Sequence, residues 1–441
     1  MLNIGLAKEI ITPPRGISLA GYFNRRPNRG QLDDVCVRAI AFEKDGVRSG
    51  IMLYDLCGLG GTETFEAIRA KMREFGVDFA DNVILCATHS HTGPSLGDTK
   101  EQPKLAPLYL DELYTKSAMA MRRAMFDLGP GELEVASEIN NPYARVRRYF
   151  MKDGSVVTNP GKYNPNIVKP ESDFDHTITV VAVKKEGRLA AILANIGNHG
   201  DSTGGDLVSA DWHGRMERYI QHKLNVGLPV FALIDASGDL NQVNNFDDVD
   251  PCCVEEATRL GQGYARIVLR LLAKVEPLKF DRMTVKNSTF DLPHRKVSPE
   301  QLAEAKKTLA EIPESAGEAT IMTSEELASR NPAALRRFAK SLVRCAEEST
   351  PSHPVRLTAI EFDKELAFVS LPGEPFNGIA RAIRAKSPFK RTLICELAQD
   401  HSGYIPMPEC FDRGGYETSP GKNSPAVEAA TVLAEAALKN L

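Results

Sequence analysis

No apolar run in the sequence reaches the roughly 20 residues that a membrane-spanning helix needs, so we expect no transmembrane segment. The first residues, MLNIGLAKEIITPP, lack the basic segment and apolar core of a signal peptide. Lysine and arginine do not cluster, and the 58 acidic and 54 basic residues leave a net charge of −4. This distribution offers no electrostatic attraction to nucleic acid or to an anionic membrane surface. The sequence therefore predicts a cytoplasmic protein whose partner is a small-molecule substrate, and it gives no sign of an oligomeric state.

A disulfide framework and a CxxC motif are also missing. The eight cysteines are scattered, and only Cys252 and Cys253 are close in sequence. Free cysteine is among the most often buried residue types, and thiols in a reducing compartment stay reduced. We therefore expect buried, reduced thiols.

Short apolar runs alternate with helical patterns along much of the chain. Runs such as SGIMLYDL, NVILCATH, LAAILANIG and LPVFALIDAS have the length and composition of buried β-strands. A helical spacing of apolar residues follows in ETFEAIRAKMREFG, where Thr62 is predicted to be the N-cap and Glu63 to lie in the first turn. We predict an α/β fold of layered mixed β-sheets flanked by helices, forming a single domain over residues 1–441.

One segment, about 297–350, has a different composition. It is charged, rich in alanine and helical in pattern, with Ser298 and Ser324 as predicted N-caps. We interpret it as a helical insertion between strands of the same domain.

Two histidines end a predicted strand in the stretch THSHTGP. Alternate residues of an extended strand point to the same side, so His89 and His91 can both face a cleft. The loops that follow strand ends are a common location for sites in α/β folds. The HxH pair has two interpretations. The histidines either belong to a metal or catalytic site, or they are structural residues that form hydrogen bonds.

A second polar cluster, NHGDSTGGDLVSADWHG, follows the run AAILANIG. His199 lies where that predicted strand ends, among glycines that permit an irregular backbone. Asp211 and His213 are further candidates, either for the site itself or for capping roles near it. Two histidine clusters that each end a buried strand indicate a shared site more strongly than either cluster alone.

Two more stretches place polar groups after predicted strands. In LPGEPFNGIARAIR, Glu374 precedes an amphipathic helix. Its carboxylate is either simply a negative charge stabilised by the helix dipole or the third member of a His/His/Glu set typical of catalytic zinc sites. In CELAQDHSGYIPMPECFDRGGYETS, the usable groups are His401, Tyr404 and Tyr416.

These stretches together resemble the neutral, non-lysosomal ceramidase family of zinc-dependent amidases. The matching motifs are THSHTGP, the histidine in the Gly/Thr-rich loop, Pro-Gly-Glu before a helix, and two tyrosines twelve residues apart. The opening GLAKEIITPPRGISLAGYF also resembles the N-terminal segment of that family. The resemblance extends over nearly the whole chain and implies hydrolysis of an N-acyl amide bond.

The resemblance implies one zinc ion per chain. Its ligands would be His89, His199, Glu374 and Tyr404. Iron or manganese could also occupy such a donor set, and His401 is an alternative ligand if Tyr404 points away.

The resemblance also implies the roles of the groups around the metal. His91 would be the general acid and base, and Arg147, with Arg148 as the next choice, would bind the substrate carbonyl. Tyr416 would lie near the oxyanion. Such donors contribute about 2.7–4 kcal/mol each in measured cases.

The sequence departs from the family at the active-site serine, where Asp235 stands instead and Ser237 does not align. We expect Asp235 to orient a water or to bind a polar substrate group. The chain ends soon after Tyr416, so no C-terminal immunoglobulin-like domain is expected. These departures predict a substrate smaller or more polar than ceramide. The alternatives are a metal-dependent esterase or acyl hydrolase, and an inactive metal-binding member of the family.

Overall fold

The computed structural model describes residues 1–97, 102–314 and 331–441. Its larger sheet has nine strands, eight of which lie on the main path. These eight strands are β1 (Asn3–Ile10), β2 (Cys36–Lys44), β3 (Val47–Tyr54), β4 (Val83–Ala87), β5 (Gly129–Ile139), β6 (Thr177–Lys185), β7 (Arg188–Ile196) and β8 (Val230–Ile234). They run in the order β8-β7-β6-β5-β1-β2-β3-β4. The two edge strands, β4 and β8, are parallel to their neighbours, and the inner pairs are antiparallel.

A second, four-stranded sheet packs face to face on the first. It consists of β9 (Met283–Pro293), β10 (Ser352–Phe362), β11 (Leu366–Ser370) and β12 (Thr392–Cys395), in chain order. Alternate strand residues form the core between the sheets, for example Phe42 and Leu53 against Phe362 and Phe368.

Helices cover the outer faces of both sheets. The helices are α1 (Thr62–Glu74), α2 (Leu105–Phe126), α3 (Asp211–Leu224), α4 (Val254–Leu272), α5 (Pro299–Glu311), α6 (Pro332–Glu348), α7 (Asn377–Lys386), α8 (Cys410–Arg413) and α9 (Ala429–Lys439). The first four cover the large sheet, and α7 and α9 cover the small one. The predicted layered α/β fold is confirmed.

Short strands and 3₁₀ turns make up much of the remaining connections. The strands are Ser18–Leu19, Arg26–Pro27, Gly30–Gln31, Arg145–Val146, Arg148–Met151, Val156–Thr158, Ile167–Pro170, Leu207–Val208, Leu240–Asn241, Glu276–Pro277, Glu374–Pro375 and Tyr404–Ile405. No helix in the described part of the chain combines the length and apolarity that crossing a bilayer requires.

The same succession of elements occurs three times along the chain. Each unit begins with three consecutive strands that pair antiparallel. A helix then connects the third strand to a fourth strand, which is parallel to the third, and a second helix follows. Unit 1 contains β1–β4 with α1 and α2, unit 2 contains β5–β8 with α3 and α4, and unit 3 contains β9–β12 with α7 and α9. Units 1 and 2 join through β1 and β5 into the large sheet. The loops after the third and fourth strands of the three units meet at one end of the fold.

The predicted helical insertion is present between β9 and β10 of unit 3. Ser298 is the N-cap of α5, as expected, and the structure shows that it forms a capping box with Gln301. Ser324 lies outside the described residues. The predicted cap at Thr62 is wrong, because α1 begins at Thr62 with Gly61 at the N-cap. The Thr62 hydroxyl donates instead to Asp400 Oδ1 at 2.8 Å.

A buried ionic cluster joins units 1 and 2. Arg38 on β2 donates to Asp55 Oδ1 at 2.8 Å and to Glu217 Oε2 at 2.7 Å, and Lys8 also contacts Glu217 at 2.7 Å. Burial alone would raise the pKa of Glu217, but the charge of Arg38, followed by that of Lys8, lowers it to about 2. Burial raises the pKa of Asp55. The cluster therefore holds Glu217 ionised well below the pH at which an exposed glutamate titrates.

This shift predicts how stability depends on pH. Because the folded-state pKa of Glu217 lies below the unfolded value of about 4.3, its contribution is complete above pH 4.3 and is lost as the pH falls toward 2. The difference corresponds to about 3 kcal/mol. We expect Glu217→Gln to lower the free energy of unfolding at pH 7, and the deficit relative to the wild type to shrink at pH 3. Urea unfolding at the two pH values measures this. A deficit that is equal at both would contradict it, and exposed Glu435→Gln is the control.

Candidate metal centre

Each unit contributes one side chain to a buried cluster at the meeting point of its loops. His89 follows β4 of unit 1, His199 follows β7 of unit 2, and Glu374 follows β11 of unit 3. His89 has a left-handed backbone with φ of 61°, which costs a non-glycine residue free energy. This strain turns the chain sharply at the strand end, where the imidazole enters the cluster.

The three side chains approach as the donors of a metal site do. His89 Nε2 lies 2.9 Å from His199 Nε2 and 3.2 Å from Glu374 Oε2, and His199 Nε2 lies 3.7 Å from the same oxygen. The corners of a tetrahedron around zinc, with bonds of 2.0–2.1 Å, lie about 3.3 Å apart. Glu374 Oε2 is buried and accepts no direct hydrogen bond from the described residues. The geometry and the unused oxygen both fit a metal ion.

Neighbouring groups orient these side chains. His89 Nδ1 donates to the Cys57 carbonyl at 2.7 Å, which leaves Nε2 free to face the cluster. The indole of Trp212 donates to the His199 carbonyl at 2.8 Å. Cys57 is one of three cysteines that are only partly buried, and all eight are free. The role of Cys57 in orienting His89 could not be predicted from its side chain, because the hydrogen bond is accepted by its backbone carbonyl.

The electrostatics of the cluster favour an ionised carboxylate and a neutral imidazole. Burial opposes ionisation of Glu374, but the charge of His89 outweighs it and lowers the pKa of Glu374 to about 2. Burial, followed by the charges of His89 and Arg147, lowers the pKa of His199. Burial would also lower the pKa of His89, but Glu374 raises it. Metal binding displaces a proton from such an imidazole.

Tyr404 lies directly beside Glu374, because their short strands pair in register. Tyr404 is also one of the residues that lower the pKa of Glu374, after His89 and Arg147. The Tyr416 ring lies 5.6 Å from the Tyr404 ring. His401 is exposed, lies next to Gly58 and is not grouped with the three ligand atoms. Of the two predicted choices, Tyr404 is the one beside the cluster.

His91 lies on the open side of the cluster. Its Nε2 is 3.2 Å from His89 Nε2, and its Nδ1 is 3.6 Å from Asp201 Oδ2. The other Asp201 oxygen accepts a 2.5 Å hydrogen bond from Tyr22. A Cβ at Gly21 would lie 2.4 Å from the His91 ring, so only glycine lets the chain pass there. Tyr22 and Asp201 are site residues that no sequence motif indicated.

The two predicted arginines have different surroundings. Arg147 NH1 lies 3.4 Å from His199 Nε2, while its other nitrogens donate to Glu417 and to the Gly238 carbonyl. Arg148 donates to Glu171 and Glu417. Arg147 is therefore the arginine that faces the cluster, and Glu417, which sequence analysis missed, holds both.

Asp235 is not brought to the cluster. Its two oxygens accept hydrogen bonds from Arg384 on α7, each at 2.8 Å. Ser237 donates to the Asp235 carbonyl at 2.6 Å. Asp211 accepts from the Ser202 and Thr203 backbone, and His213 is buried behind the cluster beside Gly200. The catalytic role predicted for Asp235 has no geometric support here, because Arg384 occupies its carboxylate.

Two cavities open on the cluster. The larger, of about 1340 Å³, is lined by His91, His199 and Arg147, and by the insertion helices α5 and α6. The smaller, of about 620 Å³, reaches Glu374. Tyr404 and Tyr416 line both.

The fold and the cluster define a layered α/β protein with a buried His/His/Glu site of the kind that holds a metal ion. Neutral ceramidases have this fold. A neutral ceramidase from Pseudomonas aeruginosa superimposes with a TM-score of 0.69 at 17% identity, and a ceramidase complexed with C2 with a TM-score of 0.70 at 15% identity. Both matches cover 100% of this chain and 74% of the other. No family model and no curated protein sequence matches. The resemblance predicted from the motifs is confirmed at the level of the fold.

Proposed function

We propose that this protein is a zinc-dependent hydrolase that cleaves an amide bond. The observation that carries the proposal is the convergence of His89, His199 and Glu374, whose ligand atoms are spaced as zinc requires. The neutral-ceramidase fold supports amides as the substrate class. Tyr404 is the proposed fourth ligand.

Zinc in this position would supply Lewis acidity and lower the pKa of a water to about 7. His91, beside the cluster and open to the large cavity, takes the proton of the attacking water at Nε2 and returns it to the leaving amine. Asp201, itself hydrogen-bonded by Tyr22, lies 3.6 Å from His91 Nδ1 and would help to orient the ring. Arg147 donates from NH1 to the oxygen that gains charge, and Tyr416, whose ring lies 5.6 Å from that of Tyr404, would assist it.

The presence of a proton donor near the leaving group favours amides over esters as substrates. An amine leaves only when it is protonated, and His91 is placed to do this. An ester or other acyl hydrolase is the second candidate, because the same site can cleave the more reactive bond. An inactive metal-binding protein is the third.

Metal analysis combined with a matched substrate pair tests the proposal. The protein is purified without added metal, its bound metals are quantified by mass spectrometry, and amides and isosteric esters of the same acid are assayed. We expect about one zinc per chain and amide hydrolysis that a chelator abolishes and zinc restores. Ester cleavage alone would favour the second candidate. Protein that takes up no metal on reconstitution would overturn the proposal.

A further inference from the structure

The smaller cavity lies on the Glu374 side of the metal centre. Its inner end is formed by Glu374, Tyr404 and Tyr416, whereas His91 and His199 line the larger cavity. Phe23 and Phe338 line both. A bond held at the metal centre therefore has space on two sides, and the two parts of a substrate can occupy different cavities.

Apart from Glu374, the acidic groups at the inner part of the smaller cavity already have hydrogen-bond or ion-pair partners. Asp400 accepts hydrogen bonds from His353, Ser402 and Thr62. Glu417 is paired with Arg147 and Arg148. Glu63 lies exposed at the rim, at the start of α1.

Two arginines line the same cavity without a carboxylate partner among residues 1–97, 102–314 and 331–441. The Arg337 guanidinium lies 4.0 Å from the centre of the Phe23 ring, and that of Arg295 lies 5.4 Å from the Phe411 ring. Arg295 also donates to the Thr418 carbonyl. These ring contacts use none of the N–H donors, so each guanidinium keeps N–H groups available for a carboxylate or a phosphate.

We propose that Arg295 and Arg337 bind an anionic group of the substrate, a carboxylate or a phosphate. The protein would then act on amides that carry such a group on the part of the molecule that enters the smaller cavity. This inference rests on the proposed hydrolase function and narrows its substrate class.

Matched substrates that differ only in charge test the proposal. The first pair is an N-acylglycine and its glycinamide, and the second is an N-acylethanolamine phosphate and its alcohol. We expect at least one anionic member to have a kcat/KM about tenfold higher than its neutral partner. The ratio should fall toward one in Arg295→Gln and Arg337→Gln, and Arg295→Lys should recover part of it. The preferred pair distinguishes carboxylate from phosphate.

The control is Arg188→Gln, at an exposed position at the start of β7, which should keep the wild-type ratio. A wild-type ratio near one in both pairs, or a ratio unchanged in both cavity variants, would overturn the inference while leaving the hydrolase intact. If no substrate is cleaved, the proposed function fails separately. In that case a binding measurement tests the anion site. The anionic compounds should raise the midpoint of thermal unfolding of the holo-protein more than the neutral compounds do, and Arg295→Gln should remove that difference. An equal effect of both would overturn the inference.

Discussion

Replacing Glu374 or His199 with alanine is expected to remove the bound metal and to lower kcat/KM for an amide by more than about 100-fold. Partners that only orient a metal ligand contribute about 10–100-fold, so loss of a ligand itself should exceed that range. Both side chains are almost fully buried, so water cannot easily take the place of the lost donor in the same geometry. The measurements are metal content by mass spectrometry and steady-state kinetics.

His222→Ala is the matched control for the histidine. His222 is exposed in the last turn of α3 and belongs to neither candidate group of metal-binding residues. It should keep both metal and turnover. A Glu374→Ala protein that keeps one metal ion per chain and wild-type turnover would show that the ion, if present, binds elsewhere.

His91→Gln is expected to lower kcat by about 10²–10⁴-fold while the protein keeps its metal. Glutamine preserves polarity and much of the volume but cannot accept and release a proton as imidazole does. His91 Nε2 is 3.2 Å from His89 Nε2, on the side of the large cavity, and it is not one of the three atoms grouped around Glu374. Its loss should therefore affect proton transfer more than metal affinity.

Two measurements separate the roles that His91 could have. Retained zinc with reduced kcat supports an acid–base role, whereas lost zinc would make His91 a ligand and would contradict the prediction. Asp201→Asn should reduce kcat less than His91→Gln does, because Asp201 acts only on the orientation of the ring. His222→Gln is the control for the substitution itself.

Sequence patterns predicted the parts of the molecule that depend on local physics. Apolar runs gave the strands, since a strand buried on both faces needs apolar residues throughout, as in Val83–Ala87. The N-cap at Ser298 was also predicted, because a serine before a helical pattern is a local signal. The strand-end positions of His89, His199 and Glu374 followed from the same runs.

The missing parts depend on contacts between residues far apart in the chain. Arg384 is 149 positions from Asp235, and no local pattern indicates that it occupies that carboxylate. Glu417 is 270 positions from Arg147, which it holds. The threefold repetition of the β-β-β-α-β-α unit was also invisible, because it is a repetition of topology and not of sequence.

That repetition has a consequence for how the ion and the fold depend on each other. His89 and His199 are 110 positions apart in the chain, and Glu374 comes from the third unit, so an ion bound to these residues would connect all three units. A covalent tie that closes a loop of about 100 residues restricts the unfolded chain by about 4.7 kcal/mol in the entropic model. A bound ion ties the chain only while it remains bound, so its stabilising effect grows with the concentration of free metal. The catalytic ion would then also stabilise the fold reversibly. In a cell with little free zinc, the protein would be less stable as well as inactive.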